Sequence, residues 1–402
     1  MPLLAFSVVL LTYIALAFGQ VPYTRMNRAT IAVVGACALV LLGVLSEEQA
    51  LHTLDMGTIL LLGAMMVINV NLRMAGFFRT ITSRTLRLAR SPKTLLALVL
   101  LSSGVLSALF LNDTICLMLT PIVADISLRL KRNPLPYLIG LAVATNVGSV
   151  ATITGNPQNI IIGQSSGIGY LTFLAYLAPV ALIGLGLSWL VIIAVYRAEF
   201  VGELPDIELP PPHPYRPLLA RTIVIVVGLV VAFSAGLPIV TSACVAAGLL
   251  LISRVRPSKL LALDWELLVM FAGLFVVAGA IEISGMSETL FGQFRSVLQG
   301  GVASFTLAVS VLSNLVSNVP AVLLLRPEMS NFADPQKAWL TLAMSSTLAG
   351  NFTLIGSAAT LIVAELAQSR GVKVSFGEFL KVGVPVTLLT LGVGVLWLSI
   401  VP

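Results

Sequence analysis

Three apolar runs, residues 3–19, 29–45 and 56–72, stand nearly end to end at the start of the chain. At about 1.5 Å per residue, each covers most of a hydrocarbon core of about 30 Å, so each is expected to be a membrane-spanning helix. Hydrocarbon offers no partner to a backbone amide, which restricts such a chain to helices or a closed barrel. The pattern persists: 58% of the 402 residues are hydrophobic and 10% are charged, unlike any ordinary soluble domain. The expected fold class is an all-α polytopic membrane protein. No basic segment precedes the first run and no convincing small-residue cleavage site follows it, so this helix is expected to be retained.

Metal or cofactor chemistry has little to work with. Cys37, Cys116 and Cys244 lie in apolar segments without ligand spacing, and His52 and His213 stand alone in polar loops. Neither a nucleophile with its base nor a phosphate-binding G-x-x-x-x-G-K-[ST] loop is present, so no enzyme is expected. Transport by this chain alone would therefore run on an ion gradient, with H+ or Na+ as the expected coupling ion and no cofactor. A separate ATPase subunit and a homodimer remain open. The net charge of +6 points to basic loops on one side of a bilayer rather than to nucleic acid.

Polar residues interrupt the apolar pattern in four places: "LNDT" (111–114), "TITGNPQN" (152–159), "VSNVP" (316–320) and "AGNFTLIGSAAT" (349–360). A broken helix at membrane depth is tolerated only where protein or a watery cavity covers it. The pieces beside the first break, 95–110 and 114–128, are short for spans. They read as a re-entrant hairpin, with a counterpart near 303–325. Under that reading one face collects Arg25, Arg28, the basic residues from Arg73 to Lys93, those from Arg129 to Arg132, Arg197, Arg216, Arg221, Arg254, Arg256, Lys259, Arg370, Lys373 and Lys381. Of 23 basic residues only Arg295, Arg326 and Lys337 fall on the other face. The basic face is expected to be cytoplasmic.

The two halves also match residue by residue. "LDMGTILLLGAMMVINVNLRMAG" at 54 aligns with "LDWELLVMFAGLFVVAGAIEISG" at 263. "VLSALFLNDTICLMLTP" at 105 aligns with "VLSNLVSNVPAVLLLRP" at 311, and "LAVATNVGSVATITGNPQN" at 141 with "LAMSSTLAGNFTLIGSAAT" at 342. The expected organisation is a first repeat (1–198), a cytoplasmic linker (199–217) rich in proline, and a second repeat (218–402). Each repeat has about five spanning helices, one of them broken, and one hairpin. An odd number of crossings inverts the second repeat and leaves both termini periplasmic, in a bacterial inner membrane.

Half-helix N-termini favour anions and half-helix C-termini favour cations, so the breaks are where a solute and its coupling ion are expected. The candidate residues are Asn112, Asp113, Thr114, Thr145, Asn146, Thr152, Gly155 and Asn156 in the first half. In the second they are Ser317, Asn318, Gly350, Asn351, Thr353 and Gly356. Helix capping alone would account for Asn112 or Asn318 taken singly, but their equivalence across the repeat favours a shared site. Asp113 has no acidic counterpart, since Val319 aligns with it, and an ionisable residue at membrane depth marks a functional position. Asp125 is expected to pair with the turn from Arg129 to Arg132. Cys116 reads as a small buried apolar residue.

These motifs resemble the ion transporter superfamily that holds ArsB-type arsenite permeases, the melanosomal P protein, NhaD-type sodium/proton antiporters and divalent anion/sodium symporters. "FLNDTICLMLTPIV" is similar to the Asn-Asp hairpin of the arsenite permeases and NhaD antiporters. "GNPQNIIIG" and "GNFTLIGSAAT" look more like the P-protein and symporter versions of the broken helices. Symporter tips carry Ser-Asn-Thr, which contacts substrate carboxylate and borders sodium. The resemblance therefore implies such roles for Asn112, Ser317 and Asn318. Leu111 and Asp113 depart from that pattern, and an Asp there repels a dianion unless it is protonated or paired with a cation. The resemblance thus implies secondary transport, with arsenite or antimonite efflux leading. Sodium/proton antiport and uptake of sulfate or dicarboxylate anions are the alternatives. The partner would be a small anion or a neutral oxyacid, and the lipid bilayer.

Overall fold

The computed structural model describes residues 2–18, 24, 26–205, 215–252, 258, 262–285, 292 and 295–401. Arg25, His213, Arg254, Arg256, Lys259 and the centre of the linker lie outside the described residues.

The described residues form helices joined by short connections. In the first half these are α1 (Pro2–Phe18), α2 (Arg28–Leu41), α3 (Glu47–His52), α4 (Met56–Met74), α5 (Phe77–Leu86), α6 (Pro92–Leu109), α7 (Asn112–Arg129), α8 (Pro134–Ser149), α9 (Pro157–Ser166) and α10 (Tyr170–Val195). The second half contains α11 (Arg216–Ser234), α12 (Ile239–Leu251), α13 (Trp265–Ile283), α14 (Arg295–Leu298), α15 (Val302–Val316) and α16 (Asn318–Leu325). A 3-10 turn (Arg326–Asn331) follows, then α17 (Pro335–Ala349), α18 (Ala358–Gln368) and α19 (Phe376–Ile400). Among the described residues, 6 helices are long and apolar enough to cross a bilayer: α4, α6, α10, α11, α13 and α19. Leucines and valines on the outside of α10, α11 and α19, such as Leu182, Val224 and Leu396, are exposed, as expected where lipid is the solvent. The chain is a multi-pass membrane protein.

Local sequence sets where the broken pieces restart. Asn133, Asn156 and Asp334 each precede a proline, and each side chain accepts a bond from a backbone N–H in the first turn of the helix it starts. The cap supplies the oxygen and the proline supplies a preset φ without an orphan donor. Phe110 and Leu111 interrupt the first hairpin, between α6 and α7. At its open end, Trp189 Nε1 donates to the Lys93 carbonyl at 3.0 Å, and Arg132 donates to the Glu203 carbonyl at 2.7 Å. Both partners belong to the C-terminal end of α10 and the chain just after it, so the hairpin returns to the end it entered from. The second hairpin, α15 and α16, closes likewise: Gln299 Nε2 donates to the Asn331 carbonyl at 3.0 Å, and the Phe305 and Phe332 rings lie 4.8 Å apart.

The matched helices α4 and α13 run in opposite directions. Arg73 at the end of α4 and Asp264 at the start of α13 line one cavity. Thr53, just before α4, and Ile283 at the end of α13 line another. Gly148 lets α8 cross α6 closely, because a Cβ there would meet the Gly104 backbone, with its carbonyl carbon at 2.6 Å. Asp125 is a correction to the sequence reading. It accepts from Arg370 Nε at 3.0 Å, while the turn arginine Arg132 bonds the carbonyls at 199, 201 and 203.

Candidate functional site

Two hairpin tips and two helix breaks meet around a cavity of about 70 Å3. Asn112 and Asp113 reach it from the start of α7, Pro157 and Gln158 from α9, Ser317 to Pro320 from α16, and Ser357 and Ala358 from α18. Arg28, the first residue of α2, also lines it. Five helices therefore present their N-termini to one space. The positive end of each helix dipole, only partly offset by caps such as Asn27, Asn156 and Ser357, makes the cavity favour oxygen-rich or negative groups.

Asp113 also borders a wider cavity of about 280 Å3, whose wall includes Asn69, Arg73, Thr114, Asp264 and Ile362. Since Arg73 and Asp264 sit at helix ends, this wider space leads from the site towards one face of the molecule. Asn69 Nδ2 donates to Thr114 Oγ1 at 3.2 Å, tying the centre of α4 to the hairpin.

Behind the small cavity lies a chain of buried amides. Asn112 Nδ2 donates to Asn146 Oδ1 at 3.0 Å, and Asn146 Nδ2 donates to Asn351 Oδ1 at 2.9 Å and to Ser357 Oγ at 3.0 Å. Asn156 Nδ2 donates to Thr347 Oγ1 at 3.3 Å. The last two contacts are repeat equivalents, because Asn146 aligns with Thr347 and Asn156 with Ser357. Ser107 Oγ to the Thr145 carbonyl (2.6 Å) and Ser313 Oγ to the Ser346 carbonyl (3.2 Å) form a second equivalent pair. With its amide nitrogen turned inward, Asn318 donates to Ser313 Oγ at 2.7 Å, the Ser346 carbonyl at 3.2 Å and the Gly356 carbonyl at 3.3 Å.

The tips differ in their backbones. Asn112 N–H donates to the Gly155 carbonyl at 2.9 Å, which fastens the first tip to the first break. A Cβ at Gly155 would meet the Ser149 backbone, with Cα at 2.8 Å, so the tight turn depends on glycine. In the second tip Ser317 holds φ +78° and ψ 158°, a region that only glycine enters readily. Such strain persists where the surroundings over-determine it.

The structure sorts the sequence candidates into two groups. Asn112, Asp113, Ser317 and Asn318 line the small cavity, and Asp113 and Thr114 line the wide one. Asn146, Asn156 and Asn351 lie behind that wall in the amide chain, and Gly350 packs close to the Asn318 amide. Thr145 meets Cys116 Sγ at 3.1 Å, Thr152 donates to the Ala108 carbonyl, and the Thr353 carbonyl accepts from Gly356 N–H at 3.0 Å. Buried Cys116 lines neither of these two cavities. Sequence reasoning passed over Arg28, Gln158, Ser357, Asn69, Arg73 and Asp264. Gln158 and Ser357 stood inside the quoted breaks. Arg28 was counted as a loop cation. With 14 residues, α2 covers about 21 Å, short of a hydrocarbon core of about 30 Å, so its first residue reaches the interior.

Helices broken at membrane depth around a polar cavity define the chain as a secondary membrane transporter, not an enzyme. The sequence model of the CitMHS family, described as citrate transporter, matches residues 13–349, and the chain belongs to that family, within the ion transporter superfamily. The chain is similar to the silicon efflux transporter LSI3 of Oryza sativa subsp. japonica, 28% identical over 94% of this chain and 93% of that one. It is also similar to the putative transporter arsB of Dictyostelium discoideum, 23% identical over 92% of this chain and 87% of its counterpart. Among solved structures, MtrF of Neisseria gonorrhoeae, titled for a class of antimetabolite efflux pumps, matches 99% of this chain and 94% of its own. The TM-score is 0.65 at 12% identity, which establishes a common fold.

Proposed function

We propose that this chain is built of two inverted-topology repeats, 1–198 and 218–402, joined by a cytoplasmic linker (199–217). It exports a small neutral oxyacid of the arsenite or antimonite kind by alternating access, driven by H+ or Na+. Its termini face the periplasm of a bacterial inner membrane. Opposed directions of α4 and α13, equivalent hydrogen bonds across the repeat and the basic residues gathered at one face support this topology.

The observation that carries the substrate reading is the small cavity itself. At about 10–15 Å3 of probe volume per water-sized group, about 70 Å3 holds roughly five such groups. That suits a central atom with three hydroxyls. Helix N-termini and the second amide N–H of Asn112 and of Gln158 donate to its oxygens, while the Asp113 carboxylate accepts an acid O–H. A neutral solute also avoids repulsion by Asp113, on which the coupling proton or cation rides as the site changes sides. The names of the two relatives, one for silicon efflux and one for arsB, favour the same class of solute.

Anion uptake is the second reading, favoured by the five N-termini, by Arg28 and by the family description. Sodium/proton antiport draws its support from Asp113 facing the wide cavity. Everted vesicles carrying a proton gradient, offered arsenite, antimonite, sulfate, a carboxylate, sodium and lithium in turn, separate the three. The proposal expects arsenite accumulation that Asp113→Asn uncouples from the gradient. Gradient-driven arsenite flux of undiminished rate in that variant removes Asp113 from coupling.

A further inference from the structure

A separate cavity, of about 300 Å3, lies away from the transport site at the open end of the first hairpin. Helical spacing brings its wall together: Arg79 and Ser83 are one turn apart on α5, and Ile122, Asp125 and Arg129 follow one stripe of α7. Arg370, two residues beyond α18, closes the third side. Asp125 is matched to Arg370 at 3.0 Å. Arg79 and Arg129 have no ion-pair partner among the described residues. The cavity thus holds two uncompensated guanidinium groups, a serine hydroxyl and an apolar floor. Nothing in transport through the central site calls on any of them.

We propose that this cavity binds a phosphate-ester anion. Guanidinium forks match phosphate oxygens in pairs, and the net charge of the wall suits a monoanion or dianion. Two sources supply that chemistry. An anionic phospholipid would place its headgroup here at the membrane surface, with its chains along the exposed apolar side of α7, where Leu128 faces outward. A free phosphate ester would enter from the aqueous side. Either ligand would brace α5 against α7, the helix whose first turn carries Asp113, so occupancy would bear on how readily the hairpin moves.

The experiment uses the full chain in nanodiscs of zwitterionic lipid doped with phosphatidylglycerol. Retained lipid is counted by native mass spectrometry, and inorganic phosphate is titrated in parallel. Pairing Arg79→Gln with Arg129→Gln is expected to weaken binding about 30-fold, at about 1 kcal/mol per arginine near a membrane surface. Arg90→Gln, in the same basic segment but outside the cavity, is expected to stay within about twofold. Arginine-dependent retention of phosphatidylglycerol that millimolar phosphate leaves intact assigns the site to lipid. Competition by phosphate assigns it to soluble esters. Equal losses in Arg90→Gln and the double variant, or no loss in either, overturn the proposal.

Discussion

Asn146 holds the centre of the buried amide chain, and truncating it tests whether that chain joins the two halves. It is 1% exposed and makes three side-chain contacts, at 3.0 Å with Asn112, 2.9 Å with Asn351 and 3.0 Å with Ser357. In Asn146→Ala all three vanish. Ser357 Oγ keeps the Thr360 N–H as donor at 3.2 Å, but Asn112 Nδ2 and Asn351 Oδ1 lose the single bond each atom makes. Two stranded groups cost about 1–3 kcal/mol each in soluble proteins, against a mean of about 0.6 kcal/mol for polar contacts between membrane helices. Water in the small cavity can re-pair Asn112, which brings the expected loss to about 2–3 kcal/mol. Reversible unfolding in mixed detergent micelles, followed by tryptophan fluorescence, measures it. Asn351→Ala strands the partner atom from the other side, so the double variant should cost about 1 kcal/mol less than the sum of the singles. A loss under about 0.5 kcal/mol in Asn146→Ala, or strict additivity in the cycle, would refute the reasoning.

Three further outcomes are expected. Arg28→Gln should slow vesicle export about tenfold, and much less when combined with Asp113→Asn, because removing one charge of a facing pair strands the other; equal slowing in both backgrounds would separate the two residues. Gly148→Ala should destabilise by about 1–3 kcal/mol, since the Gly104 backbone must retreat from the added methyl, and a wild-type midpoint in detergent unfolding would contradict that close crossing. Ser317→Gly should relieve the positive φ and stabilise by about 1 kcal/mol in the same assay, while a loss of stability would mean that the serine hydroxyl outweighs the backbone strain.

Much of the fold was legible because membrane chains announce their interruptions. Asn112 and Asn318 stood out as amides in apolar runs, and matching blocks in the same order in the two halves located both tips and both breaks. Contacts that depend on how distant segments fold back were not legible. Arg28 lies far along the chain from Asp113, and only the shortness of α2 carries it inward. Asn69 was lost within an apolar run, although a mid-span amide is the same kind of signal as Asn112. The segment "RTITSRTLRLARSPK" (79–93) read as basic, yet α5 (Phe77–Leu86), which runs into it, is an amphipathic helix with Phe78, Thr82 and Leu86 turned inward. Asp125 pairs with Arg370, 245 residues further along the chain, a contact that no local pattern records.

The pairing of Asn146 with Ser357 and of Asn156 with Thr347 repeats one contact across the two halves, yet Arg28 and Asp113 both come from the first half. Val319 aligns with Asp113, so the second tip offers no charge to match. A carrier with identical halves rests equally well facing either side. Under the proposed alternating access this one has a built-in heading: turning the empty site over would move a dipole into surroundings that are not its mirror image. Preference for one side would then be stored in these two side chains as well as in the tip backbones, and exchanging charge between Asp113 and Val319 would be the shortest route to reversing it.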